Sequence, residues 1–156
     1  MPWLWERTEC VIRMLYRRGC RYFLCGGATG FDMLAAAAVL HLRETNPDAV
    51  LGLALPCADQ TRGWTESAVN LYEQQRAEAD RVVVLSPHYY TGCMMVRNRF
   101  LVDHAAFCVA YMEVPAGGTA FTVRYALHEK LPVLNLAMPD SVTEFAKEEE
   151  AGELPF

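Results

Sequence analysis

The sequence lacks the features that mark several large classes of protein. Apolar runs such as 31–40 are too short to cross a bilayer, which takes about 20 residues of helix. The amino terminus, MPWLWERTE, contains acids and has no basic flank followed by an apolar stretch, so it does not resemble a signal peptide. We therefore expect a cytoplasmic protein that has no membrane association.

Groups of metal-ligating residues are missing as well. The six cysteines include no C-x-x-C pair, and the four histidines are dispersed along the chain. Several of the cysteines lie in apolar segments, where a free cysteine behaves as a small hydrophobic residue. We therefore predict reduced thiols, with no disulfide framework and no metal site.

The chain has no excess of basic charge. It carries 14 lysines and arginines against 19 acids, a net charge of −5, whereas nucleic-acid-binding domains normally show a basic patch. The charge therefore argues against a nucleic-acid partner. With 156 residues, of which 53% are hydrophobic, the chain has the size and composition of one globular domain.

The sequence does contain an alternation of helices and short apolar strands. Helices are predicted at 6–18, 30–44, 65–78, 92–105 and 118–130, and strands at 22–25, 50–55, 81–85, 107–111 and 132–136. This alternation predicts an α/β, doubly wound, mainly parallel sheet with helices on both faces. We predict one domain over 1–140 and an acidic tail over 141–156. The pattern opens on a helix, so it lacks the strand with which such domains usually begin.

Two glycine turns fall where ligands of such sheets bind, outside the carboxyl ends of the strands. FLCGGATGFD places Gly26, Gly27 and Gly30 between a strand and a helix, and PAGGTAF places Gly117 and Gly118 before another helix. Glycine allows a ligand to approach the backbone closely, and the start of a helix attracts anions. Two such turns at one edge of a sheet favour phosphate binding.

The same glycines are also compatible with plain turns and helix caps. Thr29 with Asp32 resembles a capping box, in which the charge of Asp32 would oppose a phosphate. Thr119 is the corresponding candidate N-cap of the second helix. A single glycine-rich turn does not decide between a cap and a phosphate site.

Polar side chains follow two further strands. Arg97 and Asn98 lie near the start of a helix; arginine can grip a phosphate, and asparagine can contact a base or ribose. Gln60 and Trp64 follow another strand, where the indole either stacks on a ligand or anchors the next helix. Nucleophile triads, a P-loop and paired carboxylates are absent from the sequence.

Four segments together resemble the YpsA-like family of bacterial proteins: FLCGGATGFDMLAAAAVL, PCADQTRGW, LSPHYYTGCMMVRNRFLVD and AGGTAFTVRYA. That family belongs to the SLOG superfamily, which includes the DNA-processing protein DprA and the cytokinin-activating LOG enzymes. The resemblance implies a Rossmann-like sheet that binds a nucleotide or a nucleotide-derived ligand. The ligand-binding positions that it implies are Gly26, Gly27, Gly30, Asp32, Gln60, Arg97, Asn98, Gly117, Gly118 and Thr119.

The chain departs from the family pattern in two places. Family members usually open on a strand ending in T-G-H-R, ahead of a pair like Pro2–Trp3, and the sequence here does not include that segment. We expect the natural start to lie upstream and the ligand site to lack one wall. The LOG enzymes carry a glutamate three residues after the threonine of their glycine motif, where this chain has Thr122.

Three functions are compatible with this resemblance. The first is preferred because Thr122, at the position of the LOG glutamate, is not a carboxylate. The domain binds a nucleotide-like metabolite as a sensor or regulator that passes its state to a protein partner. Alternatively, it is a hydrolase that cleaves an N-glycosidic or phosphate bond, with Asp32 or Asp103 as the acid nearest the site. Third, it binds single-stranded DNA as DprA does. Trp3 and Trp5 suit a homodimer contact or cover for the edge left by the missing strand.

Overall fold

Helices and strands alternate in the computed structural model, which describes residues 2–138 together with 140, 142 and 143. The helices are α1 (Pro2–Arg17), α2 (Phe31–Thr45), α3 (Glu66–Glu78), α4 (Cys93–Asp103) and α5 (Gly117–His128). The strands are β1 (Tyr22–Cys25), β2 (Val50–Leu55), β3 (Arg81–Val84), β4 (Cys108–Ala110) and β5 (Val133–Asn135). Every predicted element forms in the predicted order, and the largest discrepancy lies at the start of α1.

Helix α1 begins at Pro2 rather than at position 6. Proline suits the first turn of a helix, since its missing N–H would have no partner there. The helix ends in a Schellman motif around Gly19, whose φ is +106°. The Gly19 N–H donates to the Tyr16 carbonyl at 2.9 Å, and the Cys20 N–H donates to the Leu15 carbonyl at 3.0 Å. This turn delivers the chain directly into β1.

The strands form two parallel sheets instead of one. Strands β1, β2 and β3 pair in that order, with Phe23 opposite Leu51 and Leu53 opposite Val82. Strands β4 and β5 form a separate parallel pair. The fold class is confirmed as α/β and Rossmann-like with parallel strands, and the sheet is interrupted between β1 and β4, which do not pair.

Helices cover the two faces of the sheet. Leu51, Leu53 and Leu55, which alternate along β2, are buried in one cluster with residues of α2 and with Tyr72 of α3. Helix α1 packs against α2 and buries an apolar stripe against β5 and the turn after it. Helices α4 and α5 pack against each other; α4 contacts β2, and α5 contacts β4 and β5.

Strand β3 is the outer edge of the larger sheet and is less covered than predicted. Its three consecutive valines, Val82, Val83 and Val84, are each more than a third exposed. None of the helices in the described part of the chain is long and apolar enough to span a membrane. All six cysteines are free thiols, and three of them are buried. Apart from 142 and 143, the predicted acidic tail, 141–156, lies outside the described residues.

Candidate functional site

A cavity of about 900 Å³ lies between β1 and β4 and extends to the carboxyl ends of both strands. Six of the ten predicted site residues line it: Gly26, Asp32, Arg97, Asn98, Gly118 and Thr119. The other four do not line it: Gly27, Gly30 and Gln60 lie in adjoining loops, and Gly117 is the first residue of α5. The structure therefore brings residues from β1, α2, α4 and α5 to one crevice.

The Gly26–Gly27 turn is packed against side chains of the protein itself. A Cβ at Gly26 would lie 2.7 Å from Nη1 of Arg97 and 2.9 Å from Oδ2 of Asp32. A Cβ at Gly27 would lie 2.4 Å from Cδ2 of Leu55, and the φ of Gly27 is +71°. Internal packing and backbone conformation thus explain both glycines without a ligand.

Three polar side chains hold this turn in place. Arg97, which is almost fully buried, donates from Nη1 to the Gly26 carbonyl. Gln60 donates from Nε2 to the Gly27 carbonyl at 3.2 Å, and the Ala28 N–H donates to Oδ2 of Asp32 at 3.2 Å. Arg97 and Gln60 were predicted as ligand contacts, and in the structure both position the glycine turn.

The predicted helix caps are both wrong. The N-cap of α2 is Gly30, with a φ of +85° and no side-chain cap, and Asp32 bonds the preceding loop instead. The N-cap of α5 is Ala116, so Thr119 is the third residue of the helix. Gly30 and Gly117 both have a positive φ at the start of their helices. Residues that have a Cβ disfavour this conformation, so each helix starts at a glycine turn and not at the threonine.

Burial disfavours the charged forms of the two ionisable side chains next to the Gly26–Gly27 turn, Asp32 and Arg97. Burial raises the pKa of Asp32 above its ordinary value, and the nearby Arg97 guanidinium and the Ala28 N–H only partly offset it. Burial likewise lowers the pKa of Arg97, an effect that the charge of Asp32 opposes. The two groups support each other at a site where neither would be favourable alone.

The amino end of α5 differs because it is open. Gly117 has a φ of +85° and no atom within 4 Å of a built Cβ, while Gly118 has only Nδ2 of Asn98, at 3.8 Å. The N-cap offers no side-chain bond, and the first turn contains no acid. The first N–H groups of a helix have no partners within the helix, and at this helix end Gly118 and Thr119 line the crevice with no acid in the first turn.

Asn98 is oriented toward the open helix end. Its Oδ1 accepts a hydrogen bond from Nε of Arg97 at 2.8 Å, which directs its amide nitrogen away from Arg97. That nitrogen is the atom nearest to a built Cβ at Gly118. The buried arginine thus fixes an amide donor next to the backbone donors of α5, an arrangement that suits an anion.

Aromatic rings that sequence reasoning missed form one wall of the crevice. Phe31 and Tyr111 both line the cavity, with ring centroids 6.3 Å apart, and Trp3 lies 5.9 Å from Tyr111. The available signal was that Tyr111 directly follows β4 and that Phe31 is the first residue of the helix after β1. Trp64, by contrast, packs edge-on against Tyr72 at 5.5 Å and anchors α3, as the second interpretation predicted.

Asp103, the other candidate acid, is turned to a different part of the surface. Its Oδ1 accepts a hydrogen bond from the Tyr125 hydroxyl at 2.7 Å, and it does not line the cavity. Thr122 does line it, and its hydroxyl donates to the Gly118 carbonyl at 3.0 Å. Asp32 is therefore the acid that remains a candidate for chemistry in this crevice.

Parallel strands, interleaved helices and a crevice at the strand carboxyl ends define a Rossmann-like α/β domain. The family follows from comparison with known proteins. The chain belongs to the YspA SLOG family, whose model matches residues 7–133. This membership confirms the resemblance seen in the four sequence segments.

The chain is similar to several curated bacterial proteins. It is 28% identical over 121 residues to a UPF0398 protein of Halalkalibacterium halodurans, covering 76% of this chain and 64% of the relative. It is 29% identical over 87 residues to the UPF0398 protein YpsA of Bacillus subtilis, covering 54% and 48%. It is 24% identical over 134 residues to the SPbeta prophage-derived protein YoqJ of Bacillus subtilis, covering 78% of each. The chain thus spans only part of the length of each of these relatives.

Proposed function

We propose that the domain binds a nucleotide or nucleotide-derived ligand in the crevice and acts as a sensor or regulatory module. The observation that supports this proposal best is the open amino end of α5, which faces the crevice beside the oriented amide of Asn98. The phosphate of the ligand lies on the N–H groups of Gly118 and Thr119, where backbone donors and the helix dipole favour an anion.

The rest of the ligand has polar and apolar surfaces to contact. The base packs against the rings of Phe31 and Tyr111, since aromatic side chains offer stacking faces for bases. Asp32, which also lines the crevice, accepts a hydrogen bond from a ribose hydroxyl. The cavity volume of about 900 Å³ lies within the range typical of small-molecule sites.

Hydrolysis of the bound nucleotide is a second candidate function, and Asp32 is the observation that favours it. An acid with a raised pKa on the wall of a crevice has the property that a general acid needs. Against it, the position of the LOG glutamate is held by Thr122, whose hydroxyl bonds the backbone of its own helix. Binding therefore remains the preferred function.

The test places an acid at the second residue of α5. Gly118→Asp puts a negative charge among the donors that hold the phosphate, so we expect the affinity for AMP, ADP or ADP-ribose to fall about tenfold or more. The same acid in the first turn interacts favourably with the helix dipole, so thermal stability should stay level or rise. Calorimetric titration and thermal unfolding measure the two effects separately, and chromatography of the mixtures detects any turnover.

Ser67→Asp is the matched control. Ser67 is the second residue of α3, is exposed, and does not line the crevice, so the charge change and helix position are the same. Nucleotide affinity in this variant should equal that of the unaltered protein. Equal affinities in all three proteins would remove α5 as the phosphate site, and product formation would establish the hydrolase alternative.

A further inference from the structure

The outer edge of strand β3 has no partner in the described part of the chain. Strand β3 ends the three-stranded sheet and pairs with β2 on its inner side. Its three valines, Val82, Val83 and Val84, are 37–39% exposed, and neither hydrophobic cluster of the described residues contains any of them. Because the side chains of a strand alternate between the two faces of its sheet, β3 is uncovered on both faces as well as along its edge.

The edge also lacks the features that normally prevent a strand from pairing with another chain. Natural sheets protect their edges with charged side chains, prolines or bulges. Strand β3 has one charged residue, Arg81, at its first position, and no Asp, Glu, Lys or Arg lies between positions 82 and 96. The chain as a whole carries a net charge of −5, so two copies can bring this uncharged segment together without like-charge repulsion between the contacting surfaces.

The backbone polar groups along this edge belong to Val82 and Val84. The Leu85 N–H donates to the Leu55 carbonyl at 3.0 Å, so Leu85 points its polar groups toward β2. In a parallel ladder, successive residues point these groups alternately to the two sides, so Val83 also faces β2. Val82 and Val84 therefore direct their N–H and C=O groups away from the sheet.

This pattern is self-complementary about a two-fold axis at Val83. In an antiparallel pair of β3 strands centred there, Val82 of one copy lies opposite Val84 of the other, and the two residues exchange both N–H···O bonds. The axis generates this hydrogen-bonded pair twice. Val83 lies opposite its own copy, so β-branched side chains, which favour strand pairing, face each other at all three positions.

Exposed apolar side chains on the segment after β3 enlarge the surface. Four of them, in the next loop and the first turn of α4, are 44–63% exposed: Tyr89, Tyr90, Met95 and Val96. The loop is held near the end of β2, since the Ala58 N–H donates to the Ser86 carbonyl at 3.0 Å and the Tyr89 N–H to Oδ1 of Asp59 at 2.9 Å. With the three valines these side chains expose roughly 600 Å² per copy, and specific interfaces bury about 600–1,000 Å² per partner.

We propose that β3 is the contact of a homodimer, in which the β3 strands of two copies pair antiparallel about a two-fold axis at Val83. The three-stranded sheets of the two copies then form one continuous sheet. A two-fold contact uses the same surface on both copies, so the assembly closes at two chains. The crevice lining includes no residue of β3, and the proposal does not depend on nucleotide binding.

The test combines the oligomeric state with hydrogen exchange, both measured without nucleotide. Sedimentation velocity of the unaltered protein should show a monomer–dimer equilibrium, since interfaces of this size have dissociation constants in the micromolar range or below. Well above that constant, the Val82 and Val84 amides should exchange about tenfold or more slowly than in dilute protein. The Val83 amide, which faces β2, reports changes in overall stability and should exchange at the same rate in both.

Val83→Lys tests the position of the axis. The variant places two lysines opposite each other across the axis, so the affinity of the dimer should fall about tenfold or more. Val83 is exposed in the monomer, so the monomer should fold as before. Val114→Lys is the matched control, because Val114 is 65% exposed, lies outside the 82–96 segment and undergoes the same change of charge. Its dimer should equal that of the unaltered protein.

A weaker dimer in Val83→Lys alone, with protection of the Val82 and Val84 amides in the unaltered dimer, supports the proposal. If Val83→Lys does not fold, the protection pattern of the unaltered protein decides. A monomer at every concentration would overturn the proposal and leave the edge to a strand of another protein. So would a dimer that does not protect these amides, equal weakening by Val114→Lys, or growth into species larger than a dimer.

Discussion

The two glycine turns of this protein look alike in sequence and are opposite in structure. Gly26 and Gly27 are enclosed by side chains, at distances that leave no room for a Cβ. Gly118 lines the crevice, and neither it nor the neighbouring Gly117 has an atom closer than 3.8 Å to a built Cβ. A glycine pair in a sequence therefore indicates only that a Cβ would be crowded or strained at those positions. The surrounding atoms decide whether side chains of the protein or a ligand fill the space.

The electrostatic surroundings of the two turns differ in the same direction. The first turn of α2 contains Asp32, which already accepts a backbone N–H, and the adjacent arginine bonds a glycine carbonyl. The first turn of α5 contains no acid and has no side-chain cap. An added anion would meet a carboxylate at α2 and free donors at α5. The first turn is thus filled by side chains of the protein itself, whereas the second has space and no acid where a ligand's anion would lie.

The largest expected effect tests whether the first turn is closed. Gly27→Ala should lower the free energy of unfolding by about 1–3 kcal/mol through overpacking against Leu55, and by about 1–2 kcal/mol more through its left-handed φ. Gly19→Ala is the control, because Gly19 also has a positive φ but no neighbour within 4 Å. Denaturant unfolding should show the larger loss for Gly27→Ala; equal losses would mean that the turn is not tightly packed.

A smaller effect of opposite sign tests whether the second turn is open. Gly118→Ala adds a methyl group that meets only the amide of Asn98 at 3.8 Å, an ordinary contact. Because alanine loses less backbone entropy in a helix than glycine does, stability should rise by about 0.5–1 kcal/mol. Thermal unfolding measures the change. A clear loss of stability would show that the space before α5 is not free and would end the contrast between the turns.

The finest effect is a pH dependence at the closed turn. The pKa of Asp32 is raised in the folded protein because burial outweighs the charge of Arg97 and the Ala28 hydrogen bond. The stability gained from its proton is complete below the unfolded value of 3.8 and is lost as the pH rises through the folded value. Asp32→Asn cannot titrate, so the unaltered protein should gain stability relative to the variant as the pH falls from 7 toward 4.

Denaturant unfolding of both proteins at several pH values measures this difference, and each serves as the control for acid effects elsewhere in the chain. A difference that stays constant with pH would show that Asp32 has the same pKa folded and unfolded. A difference that changes in the opposite direction would show that Arg97 and the backbone outweigh burial. Either result would contradict the electrostatics described for the closed turn.

Much of the fold could be predicted, because helices and strands carry local signals. Strands such as 22–25 and 50–55 are short apolar runs between turn residues, and both have the predicted ends. The start of α1 and the caps of α2 and α5 were missed, since a proline and glycines with positive φ move the helix starts.

The candidate site was predictable only as a set of positions. Six of the ten positions that the family resemblance implied line the crevice, at the strand ends where ligands of such sheets bind. The roles of individual side chains were not predictable. Arg97 and Gln60 have the chemistry of ligand contacts, yet their hydrogen bonds go to glycine carbonyls. The aromatic wall of Phe31 and Tyr111 needed the two loops to be placed side by side.

The sequence by itself determined the order of the elements, the parallel α/β class and membership of the YspA SLOG family. These depend on local periodicity and on short motifs, which are written along the chain. Only the tertiary structure decided which glycine turn is open and where the sheet is interrupted. The contact that closes the first turn joins Arg97 to Gly26 across 71 positions. Such contacts arise from packing between distant segments, and local patterns do not encode them.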